Sequence, residues 1–274
     1  MMAKRTIALL SDFGLQDVYV GVMKGAIAKI NPHLTPIDIT HQIPPQNIGA
    51  GRFCLMNAVP YFPPDTVYVA VVDPGVGTGR RSVAVSCEWG IFVAPDNGLL
   101  GGVLSLCQAQ EAVELTNPVY WRSPFPSSTF HGRDIFAPVG AHLASGIPLR
   151  EVGTEINPQS LITLPISPIT RTASTIQGCI QYIDHFGNLI TNIRADQVQG
   201  KDWAVHLDEQ VISTSYTYSD RALGEIVALI GSHGWVELAI NGGNAQRQLQ
   251  LDYGDPVTVV FEQKLPDLSK KPHF

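Results

Sequence analysis

The chain has 274 residues and a formal net charge of −6 at pH 7, and it contains no basic stripe that would favour nucleic acid as the main partner. No apolar run approaches the roughly 20 residues of a membrane span, and the N-terminus becomes polar too early for a signal peptide. The four cysteines are scattered and the eight histidines form no zinc-binding pattern, so we expect a cytoplasmic protein with reduced thiols, no membrane contact and no metal.

Strand-like and helix-like segments alternate through the first 72 residues. Apolar residues recur at helical spacing from Val18 to Ile30, and Pro32 and Pro60 end the two helical segments. The pattern predicts strands at residues 6–10, 35–39 and 66–72 and helices at residues 17–30 and 48–59. Such an alternation is typical of a sheet covered by helices on both faces.

The segments that follow predict a hairpin at residues 82–87 and 90–94 and helices at residues 97–106 and 134–145, with Gly146 as the C-terminal stop of the last helix. The proline-containing stretch PISPITRT, residues 165–172, is typical of a linker. Short alternating runs then predict strands at residues 175–183, 189–193, 203–207, 226–230, 236–240 and 256–261.

The predicted fold class is therefore α/β, in two domains. We expect an N-terminal α/β domain with a mostly parallel sheet over residues 1–168. A smaller C-terminal β-barrel domain is expected over residues 174–274, because short strands separated by turn residues favour a barrel or a sandwich.

Asp12 follows the first predicted strand in the sequence SDFG. A kinase metal site is excluded because no glycine loop precedes this triplet and HGRD comes far downstream in the wrong order. A carboxylate at a strand end can accept hydrogen bonds from paired hydroxyls such as a ribose diol. Asp12 could also cap the helix that follows, and both interpretations stay open from the sequence.

The sequence DPGVGTGRR follows the third predicted strand and supplies Asp73 and Arg80 around a glycine-rich turn. It is not a phosphate loop, because a strand follows it and it has no Walker lysine. Asp73 and Arg80 are either a structural ion pair or part of a reactive site. His131, in FHGRD, is either a cap-region side chain or a titratable group that faces this pair.

In the second half, YIDHFGNLITN ends a predicted strand with an acid, an aromatic residue and an amide. Phe186 can stack on a flat base, Asn188 can pair with an adenine edge, and Asp184 can bind an ammonium group. In the alternative interpretation FGN is a hairpin turn with Phe186 in the core. The glycine-rich turns GSHG and NGGNA suit backbone recognition.

Together, LLSDFG, ITHQIPPQNI, VVDPGVGTGRRSVAV, APDNGLL, FHGRDIFAP, IDHFGNLITNI and ALIGSHGWVELAINGGNA resemble the S-adenosyl-L-methionine (SAM) hydrolase family. Its members are also called SAM hydroxide adenosyltransferases and are related to fluorinating and chlorinating enzymes. The resemblance covers almost the whole chain, with the motifs in order.

The resemblance implies that hydroxide displaces methionine from SAM at the ribose 5′ carbon, giving adenosine and L-methionine. SAM is then the substrate, and no cofactor or metal is implied. The resemblance also implies a homotrimer whose active sites lie between the N-terminal domain of one subunit and the C-terminal domain of its neighbour. The catalytic triad it implies is Asp73, Arg80 and His131, and the ribose-binding aspartate is Asp12. The implied adenine and methionine contacts are Asn97, Asp184, Phe186, Asn188, Tyr218, Ser232 and Ala245.

Three alternatives stay open. The halogenating relatives lack the aspartate and arginine of DPGVGTGR, so Asp73 and Arg80 favour the hydrolase branch, although the spacer between Asp184 and Phe186 is shorter than in the halogenases. A SAM- or adenosine-binding protein without catalysis would give Asp73 and Arg80 no role. A structural trimer with a vestigial site would do the same. Within the hydrolase reading, the sequence leaves open whether Asp73 or His131 accepts the proton from water.

Overall fold

The computed structural model describes residues 5–207 and 210–261, which fall into two units with their boundary between Leu164 and Pro165. Residues 1–4, 208–209 and 262–274 of the two predicted domains lie outside the described residues. The domain limits 1–168 and 174–274 stay a prediction. Among the described residues, no helix is long and apolar enough to cross a membrane.

The N-terminal unit contains a mixed sheet. Its strands are β1 (Ile7–Ser11), β2 (Pro36–Thr40), β3 (Val67–Val71), β4 (Ser82–Cys87), β5 (Gly90–Pro95), β6 (Glu111–Glu114) and β7 (Thr154–Glu155). In the order β2-β1-β3-β5-β4-β6-β7, the neighbours from β2 to β5 pair in parallel and those from β5 to β7 pair antiparallel. The helices are α1 (Tyr19–Ile30), α2 (Ile48–Ala58), α3 (Gly101–Leu104) and α4 (Ala137–Ala144).

Two interior strands, β1 and β3, are buried along their whole length. Apart from Ser11 at the end of β1, their residues are mainly apolar on both faces of the sheet, as expected for parallel strands covered by helices. Because β1 and β3 run in parallel, their carboxyl ends lie at the same edge of the sheet. Asp12 and Asp73 follow these two strands, so the topology brings both carboxylates to one edge, where α/β proteins bind ligands.

Two predicted helices differ from the structure. The helix expected at residues 97–106 shortens to α3, because the Asn97 side chain and Gly98, at φ +96°, form a turn before it. The helix expected at residues 134–145 begins instead as a π-helical turn, Gly132–Phe136, before α4, and Gly146 follows it at φ +99° as predicted. Strand β6 was not predicted from the sequence.

The C-terminal unit is an antiparallel, nearly closed barrel. Its strands are β8 (Thr170–Arg171), β9 (Thr175–Ile183), β10 (Leu189–Arg194), β11 (Trp203–Leu207), β12 (Gln210–Ser213), β13 (Ile226–Ile230), β14 (Trp235–Ile240) and β15 (Pro256–Phe261). They follow the order β12-β11-β15-β9-β10-β14-β13, with β8 beside β9. The two end strands approach each other where Ser215 N donates to Ala228 O at 2.9 Å. Two short helices, α5 (Ala195–Val198) and α6 (Ala245–Leu249), complete the unit.

The predicted fold class, an α/β domain followed by a smaller barrel, is confirmed. The N-terminal sheet is mixed and not mostly parallel, because β4, β6 and β7 join it in antiparallel pairings. The stretch 165–172, predicted to be a linker, is partly ordered by the barrel. Residues 170–171 pair with β9, and the Asn192 side chain donates to Ser167 O at 2.9 Å. Strand β12 and both short helices were not predicted.

Candidate active site

A cleft of about 360 Å³ opens at the carboxyl ends of β1 and β3. Three of the predicted site residues, Asp12, Asp73 and His131, line it. The other lining residues are Phe13, Tyr19, Pro45, Gln46, Val71, Pro74, Val76, Thr129, Phe130 and Gly132. The rings of Phe13, Tyr19 and Phe130 pack edge to face or tilted, with centroids 5.2–5.7 Å apart, and give the cleft an aromatic wall.

Asp73, Arg80 and His131 are in direct contact. Arg80 Nε donates to Asp73 Oδ1 at 2.9 Å, and Arg80 Nη2 donates to Asp73 Oδ2, which makes the ion pair bidentate. Arg80 Nη2 also donates to His131 Nδ1 at 2.9 Å. The side chains of Arg80 and Asp73 are only 10% and 5% exposed, so the pair is shielded from solvent. Asp73 and Arg80 therefore form an ion pair that also contacts His131, and their part in a reactive site stays a prediction.

Every N–H of the Arg80 guanidinium has an acceptor. Besides the bonds to Asp73 and His131, Nη1 donates to Ser82 Oγ at 2.7 Å and to Arg81 O at 3.3 Å. The guanidinium carbon also lies 5.3 Å from the centre of the Phe136 ring. Arg80 therefore fixes Asp73 and His131 in place and acts on the cleft through its charge, with no hydrogen-bond donor left for a ligand.

The contact with Arg80 fixes the tautomer of His131. A guanidinium only donates, so His131 Nδ1 must accept and the ring proton lies on Nε2. Burial and the positive charge of Arg80 lower the pKa of His131 below its ordinary value of 6.5, so the ring is neutral at neutral pH. His131 is thus a hydrogen-bond donor at Nε2.

The segment before His131 is held by the buried carboxylate of Asp134. Asp134 accepts from Arg133 Nε at 2.7 Å, from Arg122 Nε and from Ser127 N at 2.8 Å. Burial opposes ionisation, but the hydrogen bonds from Arg133 and Arg122 outweigh it and lower the pKa of Asp134. Gly77 also contacts this segment, because a Cβ at that position would lie 2.3 Å from Ser128 O. Both contacts set where His131 stands relative to the 73–80 turn.

Asp12 does not cap the helix that follows it. The N-cap of α1 is Val18 and has no side-chain hydrogen bond, so the capping interpretation is wrong. Instead, Asp12 Oδ2 accepts from Gln46 N at 2.7 Å. The carboxylate therefore lies in the cleft, with one oxygen held by the backbone.

In the C-terminal unit, Asp184 organises the loop between β9 and β10. Its Oδ1 accepts from the backbone N–H of Phe186 and of Asn188, both at 2.9 Å, and its Oδ2 accepts from Asn188 Nδ2 at 2.9 Å. Gly187, at φ +83°, packs so closely on Asn244 that a Cβ would lie 2.1 Å from its Nδ2. Phe186 is 71% exposed, so its interpretation as a core residue is wrong.

Tyr218 belongs to a second hydrogen-bonded group, which the sequence analysis missed. Tyr218 Oη donates to Glu237 Oε1 at 2.8 Å, and His233 Nε2 donates to Glu237 Oε2 at 3.0 Å. His233 Nδ1 accepts from Trp235 N at 3.2 Å, which places the ring proton on Nε2. Burial, Glu237 and the charge of Asp184 raise the pKa of Tyr218. The signal in the sequence was a glutamate within the apolar strand WVELAI, where it is only 2% exposed.

The remaining predicted residues differ in accessibility. Asn97 Nδ2 donates to Val72 O at 2.9 Å, so Asn97 secures the backbone just before Asp73. Ser232 is exposed in the turn between β13 and β14, whereas Ala245 is fully buried at the start of α6.

Among the residues that the structure describes, no group of three or more histidine, cysteine, aspartate or glutamate side chains is placed to hold a metal ion.

Two family models match the chain. The SAM hydroxide adenosyltransferase N-terminal domain matches residues 7–153, and the corresponding C-terminal domain matches residues 178–258. The chain belongs to the SAM hydroxide adenosyltransferase family. The resemblance inferred from the sequence motifs is therefore confirmed.

Individual relatives span the same two units. The (R)-S-adenosyl-L-methionine hydrolase of Salinispora tropica is 39% identical over 92% of this chain and 97% of its own length. A fluorinase from Actinoplanes sp. is more distant, at 30% identity over 92% of this chain and 96% of its own. Among solved structures, an uncharacterised conserved protein from Thermotoga maritima superposes with a TM-score of 0.86 at 36% identity, covering 93% of this chain and all of that one.

Proposed function

We propose that this protein is a SAM hydrolase, which forms adenosine and L-methionine by attack of water on the ribose 5′ carbon. The observation that carries the proposal is the contact between Asp73, Arg80 and His131 at the cleft where β1 and β3 end. The sulfonium of SAM already makes the thioether a good leaving group, so the reaction needs an activated water and no acid. SAM is the substrate, and the proposed chemistry uses no cofactor or metal.

In the proposed mechanism, Asp73 accepts the proton of the attacking water. His131 is unsuited to that role while its Nδ1 accepts from Arg80 and its Nε2 carries the proton. Instead, His131 Nε2–H donates to the water oxygen and orients it. The C–O bond forms as the C–S bond breaks, the electron pair leaves with sulfur, and the water proton passes to Asp73. The charge of Arg80 stabilises the developing hydroxide.

The substrate contacts in the proposal divide between the two units. Asp12 accepts hydrogen bonds from the ribose hydroxyls, and Asn97 supports the turn at Asp73. From the C-terminal unit, exposed Phe186 stacks on adenine and Asn188 pairs with its edge. The methionine ammonium is bound by Asp184 and by the oxygen of Tyr218, whose own proton is donated to Glu237. Ser232 contributes through the turn between β13 and β14, and Ala245 contributes through the backbone at the start of α6.

The assay that tests this function is incubation of the purified protein with SAM, with and without chloride, followed by chromatography. Adenosine and methionine in equal amounts in both buffers support hydrolysis. A 5′-chloro product that forms only with chloride would move the protein to the halogenase branch, for which fluorinase relatives at 30% identity are the reason to test. SAM binding without any product would favour a binding protein.

We also propose a cytoplasmic homotrimer in which the C-terminal unit of one subunit completes the cleft of its neighbour, as the family resemblance implies. The support is that every residue lining the cleft belongs to the N-terminal unit, while the proposed adenine contacts belong to the other. Mixing an Asp73→Asn variant with a Phe186→Ala variant tests this arrangement. Refolded mixtures regain activity if the two units come from different subunits, and stay inactive if each chain completes its own site.

A further inference from the structure

A series of polar groups, buried at Ser11 and His41 and more exposed at Asp38 and Lys24, begins directly behind Asp12. Ser11 Oγ and His41 Nδ1 are 2.7 Å apart, and the residues are 0% and 3% exposed. On the other side of the ring, His41 Nε2 lies 3.1 Å from Asp38 Oδ1, without the alignment of a hydrogen bond, and Asp38 in turn pairs with Lys24 at 2.6 Å. Of the two contacts that the His41 ring makes, only the one with Ser11 is therefore a well-formed hydrogen bond.

The order serine, histidine, aspartate is that of a hydrolase triad, but the geometry does not support that chemistry. Ser11 is fully buried, and its oxygen also accepts from Phe13 N at 3.3 Å. No substrate carbon can approach a hydroxyl in that position, so the group has a different role.

Three hydrogen bonds connect the turn at Asp12 to the segment 41–46. Ser11 Oγ bonds to the His41 ring, Gly14 N donates to His41 O at 2.7 Å, and Gln46 N donates to Asp12 Oδ2 at 2.7 Å. His41 is therefore the buried anchor of one segment, and Gln46, at its other end, holds the Asp12 carboxylate.

The backbone of Gln46 supports a functional reading of this anchor. Gln46 has φ +64°, a conformation that non-glycine residues seldom adopt and that is retained where surrounding contacts enforce it. That conformation coincides with the N–H that Gln46 donates to Asp12. A strained backbone held to aim one donor at one carboxylate indicates a position that matters for ligand binding.

We infer that His41 is a positioning residue that sets the orientation of Asp12 toward the ribose of the substrate, through Ser11 and the 41–46 segment. The inference rests on the proposed role of Asp12 in ribose binding. It assigns no contact between His41 and the ligand, since His41 does not line the cleft.

Two substitutions of His41 distinguish the contribution of Nδ1 from that of Nε2. The amide of His41→Asn places a polar atom near the position of Nδ1 and keeps the bond to Ser11, whereas His41→Gln places it near Nε2 and loses that bond. We expect His41→Gln to weaken adenosine binding about tenfold, measured by calorimetry, and His41→Asn to stay within about threefold of the wild type. Ser11→Ala removes the same bond from the other side and should match His41→Gln, which keeps the test available if one variant fails to fold. Exposed His33→Asn is the matched control.

The decisive readout is dependence on the ribose hydroxyls and on Asp12. His41→Gln should not change the affinity for 2′,3′-dideoxyadenosine, and in an Asp12→Asn background it should not weaken adenosine binding further. Equal losses for both ligands, or additive losses in the double variant, would overturn the inference and leave the role of Asp12 standing. Wild-type adenosine affinity in Asp12→Asn would overturn the role of Asp12 itself, and the inference with it.

Discussion

The two units use their carboxylates in different ways. In the N-terminal unit, Asp73 is held by Arg80 but faces a cleft, beside the free Nε2–H of His131. In the C-terminal unit, Asp184 is bonded to its own loop and Glu237 is bonded to Tyr218 and His233. The first unit therefore presents its carboxylate to a cleft, whereas the second uses its acids to shape a surface from which Phe186 projects.

The sharpest test of this comparison is Asp73→Asn. The amide keeps the size of the side chain but cannot accept the proton from water, so we expect turnover to fall at least about a hundredfold. Asparagine is preferred to alanine because its amide oxygen can still accept a hydrogen bond from the buried Arg80 guanidinium, although the ion pair is lost. Single-turnover formation of adenosine measures the effect, with exposed Asp65→Asn as the control. Near-normal turnover in Asp73→Asn would show that Asp73 does not accept the proton, and the proposed difference between the two units would be wrong.

Arg80→Lys should have the next largest effect. Lysine keeps the charge but cannot hold Asp73 bidentately while also donating to His131 and Ser82. We expect turnover to fall at least about tenfold while SAM binding changes little, since Arg80 has no donor free for the substrate. The kcat and the equilibrium affinity for SAM, measured separately, check this. A large loss of affinity with unchanged kcat would show that Arg80 contacts the substrate.

The pH dependence of the N-terminal unit follows from His131. Its pKa is lowered from 6.5, so the neutral ring persists as pH falls past 6.5, and kcat should decline only at lower pH. The lowered pKa of His131 also makes the folded state less stable at low pH. Between the lowered pKa and 6.5, the unfolded chain binds the proton and the folded chain does not, so stability decreases as pH falls through this window. Comparing pH profiles of kcat and of the unfolding midpoint in wild type and His131→Asn checks both trends, and identical profiles would contradict them.

Glu237→Gln should produce the smallest effect. Glutamine can still accept from Tyr218 and has the same size, but it lacks the charge that raises the pKa of Tyr218. We expect the KM for SAM to rise about threefold to tenfold with kcat nearly unchanged, because the residue acts on binding. Steady-state kinetics measure the split, and a loss confined to kcat would place Glu237 in the chemistry instead.

The sequence predicted those parts of the protein that depend on local patterns. Apolar runs identified β1 and β3, and since parallel strands end at one edge, Asp12 and Asp73 could be expected to lie close together. The contact between Arg80 and His131 follows from the family resemblance alone and not from local sequence patterns, because it joins residues 51 positions apart. Glu237 was missed because a single glutamate in an apolar strand gives no sign of its partners.

The saturated hydrogen bonding of Arg80 bears on which nucleophile the cleft admits. A halide ion is stabilised in a protein by N–H or O–H groups that point at it, and the guanidinium has none to offer, which leaves His131 Nε2–H as the single donor of the three side chains. The adjacent carboxylate of Asp73 repels an anion and can receive a proton, which a halide does not carry. Water gains from the same arrangement, since it can accept from His131 and donate to Asp73. We therefore expect the turn that carries Asp73 and Arg80 to favour water over a halide as the nucleophile.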